Sequence, residues 1–158
     1  MFKRISLIIL SVSLLAGSLA LTGCAAASSG NELSSLNGYW KSGYGDGFEI
    51  SGTSYAQYDD TEKHVSFAGT IVNAPDLTAD SGFLTVKITN SGTWLKTANY
   101  YYVIQWKNLS LGKVSASAAN NGDYLDVKNN GMASQALAEA EYTISNGYFG
   151  YFGDYLKQ

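Results

Sequence analysis

Tyr100-Tyr101-Tyr102-Val103-Ile104-Gln105-Trp106-Lys107 decides the fold class, because its residues alternate with a period of two. Tyr100, Tyr102, Ile104 and Trp106 fall on one face of an extended chain; Tyr101, Val103, Gln105 and Lys107 fall on the other. The composition, aromatic and β-branched, suits a pleated, half-buried surface. Working outward, Leu84, Val86 and Ile88 alternate against Thr85, Lys87 and Thr89, with an Asn90-Ser91-Gly92 turn after them. Val65, Phe67 and Ile71 share one face of a further strand. Lys113 to Ala118 alternates Val114, Ala116 and Ala118 against Ser115 and Ser117, small residues that leave room for bulky neighbours. Gly38-Tyr39-Trp40, Phe48-Glu49-Ile50 and Ser54 to Asp59 read as earlier strands, and Tyr124 to Val127 as one more short strand.

The composition changes after Asn129-Asn130-Gly131. Met132 to Glu141 is rich in helix formers and predicts one helix of about nine residues, with Ser134 as cap and Ala133, Leu137 and Ala140 on its apolar face. Tyr142-Thr143-Ile144 returns to β character, Asn146-Gly147 signals a hairpin, and the chain closes through Gly147-Tyr148-Phe149-Gly150-Tyr151-Phe152-Gly153. Short antiparallel strands, seven to nine of them, with one late helix predict an all-β, mainly antiparallel barrel or sandwich.

The amino terminus is of another kind. Lys3 and Arg4 precede a mostly apolar run from Ile5 to Leu21, and small residues follow, which is the pattern of a secretory signal. Within it, Leu21-Thr22-Gly23-Cys24 resembles the lipobox of bacterial lipoproteins. That resemblance implies removal of residues 1–23, lipidation of Cys24 on sulfur and, usually, acylation of the new amino terminus. The partner so implied is membrane lipid, and the location an exported, membrane-anchored one. In a two-membrane bacterium, Ala25 after the Cys implies onward transport to the outer membrane or surface, since Asp there often retains such proteins in the inner membrane. Residues 24–36 read as the lipidated Cys and a small, polar tether reaching roughly 40 Å when extended. Residues 37–158 read as one domain.

Several function classes are excluded by what is left. After Arg4 there is no arginine, and removal of residues 1–23 leaves a formal charge of −5. A nucleic-acid interface needs a basic face, which this chain cannot assemble. Cys24 is the only cysteine, so once lipidated it leaves no disulfide, thiolate nucleophile or thiolate metal ligand.

Gly38-Tyr39-Trp40 at the domain's first strand resembles the Gly-Xaa-Trp motif that opens the lipocalins and related calycin barrels. The resemblance implies an up-and-down barrel closed at its base by Trp40 with Gly38, a ligand cavity at the other end, and a helix after the main strands. Lipocalins place an Arg late in the chain across the motif Trp; here Lys157 is the residue available for that part.

Chemistry-bearing residues are sparse. His64, the only histidine, sits on a charged Glu62-Lys63-His64 entry to a strand and reads as a surface residue. Asp59, Asp60 and Glu62 form a cluster of the type that holds Ca²⁺ or serves as paired carboxylates, but without an EF-hand pattern they read as a solvated turn. Gly43 to Gly47 lacks the Lys-Ser/Thr of a phosphate loop. Neither catalysis nor a cofactor or metal is expected. The aromatics are the stronger signal: three tryptophans and twelve tyrosines exceed what one small core needs. Phe67, Tyr100, Tyr102, Ile104 and Trp106 are the candidate residues for a cavity that takes a small apolar ligand. Two alternatives stand beside it: the same side chains fill a narrow barrel solid, or outward aromatics meet a protein or glycan in the cell envelope.

Overall fold

The structure is a computed structural model and describes residues 34–123 and 125–158. The signal, the Leu21-Thr22-Gly23-Cys24 motif and the tether as far as residue 33 lie outside the described residues. Eight antiparallel strands close into a barrel in simple sequence order: β1 Gly38–Ser42, β2 Gly47–Ser51, β3 Ser54–Tyr58, β4 Val65–Ile71, β5 Gly82–Asn90, β6 Tyr101–Ser110, β7 Lys113–Ala118 and β8 Gly153–Lys157. The all-β, up-and-down reading of the sequence is the fold observed, with one short α-helix, α1, Gln135–Glu141.

Alternation dictates the interior. Phe48 and Ile50 of β2, Tyr55 of β3, Phe67 of β4, Leu84, Val86 and Ile88 of β5, and Tyr102, Ile104 and Trp106 of β6 are all buried. Tight connections lie at one end: Gly52, with φ +59°, makes the β2–β3 turn, where an L side chain would be strained. The β4–β5 connection, 72–81, also lies at that end and closes it. Leu36 N–H donates to Leu77 O at 2.9 Å, the Trp106 indole N–H donates to Ala79 O at 3.0 Å, and Leu109 N–H donates to Asp80 O at 2.9 Å. Trp40 is wholly buried there, its indole N–H donating to Leu36 O at 2.8 Å. Leu36 is therefore a core residue, and the packed domain begins before Asn37. Lys157 lies across Trp40, Nζ 5.5 Å from its ring centroid, in the part the sequence left for it.

The sequence departs from the structure in the long β7–β8 connection. Tyr124 lies outside the described residues, and in place of a strand the chain forms a single 3-10 turn, Val127–Asn130, capped by the Asp126 carboxylate on Lys128 N–H. Ser134 caps α1 as expected, but the helix is seven residues long and turned about its axis relative to expectation: Ala138 and Tyr142 are buried, whereas Ala133, Leu137 and Ala140 face solvent. The cause is its neighbour. The helix packs on the outer face of β5 and β6, where Thr85 and Val103 are buried, and Thr85 Oγ1 donates to Glu139 at 2.7 Å. Tyr142-Thr143-Ile144 is likewise a turn, and the closing strand is β8, past the aromatic run.

Gly82 sits directly opposite Trp106 in the β5–β6 register, and the indole covers it so closely that a Cβ would lie 2.4 Å from a ring carbon. Gly82→Ala must therefore push Trp106 off the base plug, and the expected loss is about 1–3 kcal/mol. A lowered urea midpoint at unchanged m-value checks this; an unchanged midpoint would show that the plug is slack.

Candidate functional site

The other end of the barrel is open. A cavity of about 840 Å³ descends from the mouth to a floor that includes Phe48, Tyr55 and Ile104. Small side chains on β7, Ala116, Ser117 and Ala118, leave the space beside them empty. The mouth is bounded by the loop before β2, by 91–100 between β5 and β6, and by the long connection before β8.

Of the five side chains put forward from the sequence, Tyr102 and Ile104 line the cavity. Phe67 is a wholly buried ring packed between Tyr55 at 5.5 Å and Tyr102 at 5.4 Å, centroid to centroid. Trp106 belongs to the closed base, at the opposite end from the mouth. Tyr100 lies outside the strand: Asn99, at φ +65°, turns the chain, so the period-two pattern starts at Tyr101 and leaves Tyr100 38% exposed.

Among the described residues only two charged ones line the cavity, Asp46 and Lys96. Strand order puts their loops half a barrel apart. Asp46 is well provided for: the Ser42 hydroxyl donates to one carboxylate oxygen and the Tyr155 phenol to the other, at 3.1 Å. Burial, reinforced by the Asp46 charge, pushes the Tyr155 phenol far up, so it remains a donor. Beside them the Tyr55 hydroxyl donates to Gln57 Oε1 at 2.6 Å.

Lys96 is only 6% exposed. Its amine donates to Asn129 O and rests 3.9 Å from the Tyr102 ring centroid and 5.5 Å from that of Trp94. Among the described residues no carboxylate lies within ion-pair distance of it. Burial holds the amine down to about 8, against an ordinary 10.5. Nothing in the stretch Thr93-Trp94-Leu95-Lys96 announced this, because the amine's partners include Tyr102 and, 33 residues later, Asn129.

The acidic cluster is structural. Asp59 accepts from the hydroxyls of Ser66 and Thr93 and from the Trp94 indole N–H at 2.8 Å, tying the 91–100 loop to β4. Asp60 pairs with the exposed His64, Oδ2 to Nδ1 2.6 Å, and that hydrogen bond raises the imidazole's pKa and lowers the carboxyl's. Among the described residues no group of three possible ligands is placed to hold a metal ion, and no helix is long and apolar enough to cross a membrane. No protein-family model, no curated protein and no solved structure matches the chain.

The folded pKa of Lys96 lies below the unfolded one, so between pH 8 and 10.5 the folded state binds fewer protons than the unfolded. Stability accordingly rises with pH across that window. Below it both states are protonated and the full desolvation penalty, on the order of 3 kcal/mol, is present. Replacing the amine by Lys96→Met removes that penalty but leaves Asn129 O unpaired, for a net gain of about 1–2 kcal/mol at pH 7. Urea unfolding at pH 7 and pH 9.5 checks this: the gain should shrink at the higher pH, and a constant gain would mean the amine is not desolvated.

Proposed function

We propose that the protein is an exported bacterial lipoprotein, anchored through acylated Cys24, whose barrel binds a small, largely apolar ligand and performs no chemistry on it. The observation that carries the reading is the cavity: a barrel plugged at one end and open at the other, with aromatic walls and a few placed hydroxyls and amides. The Gly38-Tyr39-Trp40 opening, the buried Trp40 and the Lys157 amine over its ring support a lipocalin-like carrier. The signal-like start and Leu21-Thr22-Gly23-Cys24 support the anchor.

A second reading, an envelope protein that docks a partner, rests on side chains around the open end. Tyr44 is 93% exposed, and Leu95, Leu125 and Tyr151 are also largely free. One titration separates the two. A neutral fluorescent probe, N-phenyl-1-naphthylamine, should brighten on binding the wild-type protein. Ala118→Trp, which fills the cavity from β7 beside Ile104, should abolish that signal without loss of folding. Absence of uptake by wild type would leave the partner-docking reading. For the anchor, Cys24→Ala should lose acyl labelling and membrane association; an uncleaved variant still in the membrane would defeat the lipobox reading.

A further inference from the structure

The cavity has an electrically uneven wall. On one side the Asp46 carboxylate has a hydroxyl donor on each oxygen. On the other the Lys96 ammonium has three donors and gives one of them to Asn129 O. The remaining positive charge is met by ring faces, Tyr102 at 3.9 Å, Trp94 at 5.5 Å and Phe67 at 6.0 Å, and no carboxylate among the described residues reaches it. Ring faces soften the desolvation of a cation, but they do not replace a counter-ion. A buried cation with spare donors at the edge of an apolar cavity is a receptor for an anion.

We propose that the ligand is a carboxylate-headed amphiphile whose head pairs with Lys96 Nζ and whose apolar body lies on Tyr55, Phe48 and Ile104. This rests on the barrel being a carrier. The charge count sets the head group: Lys96 is the only cation lining the cavity among the described residues, so a monoanion is neutralised and a phosphate dianion is not. Asp46 sets the direction, since an anion on its wall would meet a like charge half a barrel away from the lysine. The ligand body points inward because the mouth beside Lys96 is polar, edged by Asn120, Asn121 and Asn130, while the floor is aromatic and aliphatic.

The test is competition against bound N-phenyl-1-naphthylamine at pH 7, with decanoate and 1-decanol as paired competitors of equal chain length. In the wild-type protein decanoate should displace the probe at about tenfold lower concentration than the alcohol. Lys96→Met should lose that preference while still binding the probe, and Lys96→Arg, which keeps the charge, should retain it. Phenyl phosphate and decyl phosphate should compete no better than decanoate. Equal competition by acid and alcohol in wild type overturns the inference, whatever the variants do, and leaves the carrier reading intact. If neither the probe nor decanoate, followed directly by calorimetry, binds wild type, the carrier reading fails and the inference fails with it.

Discussion

The fold depends on one pairing, that of β8 with both β7 and β1. Gly153–Lys157 meets Lys113–Ala116 on one side and Trp40–Ser42 on the other, turning an eight-stranded sheet into a closed barrel. Without it, two edges would present unpaired backbone groups, and the interior side chains would lose their opposite wall. The seam is short, three register positions on the β1 side. Contacts at the base reinforce it: Trp40 stands opposite Lys157, the Lys157 amine also donates to Ser35 O at 3.3 Å, and Gln158 N–H donates to Tyr39 O at 3.0 Å. Closure and base plug are therefore one structure, held around Trp40.

From that base an unbroken line of rings climbs the barrel. Trp40 stacks on Phe48 at 6.2 Å and Phe48 on Tyr55 at 6.2 Å; Phe67 follows at 5.5 Å, Tyr102 at 5.4 Å, Tyr142 at 5.3 Å and Tyr148 at 5.0 Å. The edge-on and tilted geometries are those aromatic pairs prefer. The line crosses from β1 through β4 to β6 and then out to the long connection, so it adds continuous packing to the hydrogen bonds that join that connection to the barrel. It also explains how one barrel is both filled and hollow. Within the barrel those rings lie on β1 to β4 and β6, whereas β7 offers Ala116, Ser117 and Ala118, and there the space stays open.

Much of this was legible in the sequence, for a physical reason. A strand with one face in a core must alternate, so β4, β5, β6 and β7 were visible from their residues, whereas Trp40 at the base and Lys157 beside it were suggested only by the resemblance of Gly38-Tyr39-Trp40 to the Gly-Xaa-Trp motif. What escaped notice depends on contacts remote in sequence. β8 carries Asp154, Tyr155 and Leu156, with no buried hydrophobic run, and becomes a strand because two neighbours need partners. The buried face of α1 does not show in its own residues, because it is set by Thr85 and Val103, outward on the sheet and buried against the helix. Within the cavity, Tyr102 and Ile104 could be found by periodicity. Phe48, Tyr55, Gln57, Tyr155 and Lys96 each sit on a different element, and only barrel closure brings them together.

Among the described residues four lysines rest on aromatic faces, and the contrast between two of them, Lys157 and Lys96, bears on function. At the base, Lys157 is exposed; its amine stays hydrated and covers Trp40, so the contact adds stability with little desolvation. At the mouth, Lys96 makes the same kind of contact with Tyr102 while buried, and without a carboxylate among the described residues. A methionine would fill that space without the charge and would cost the fold less. Packing accounts for the stem of Lys96 but not for its ammonium. The barrel tolerates an under-compensated charge at the one place where its wall opens to an incoming molecule, and there the missing counter-ion can be supplied from outside.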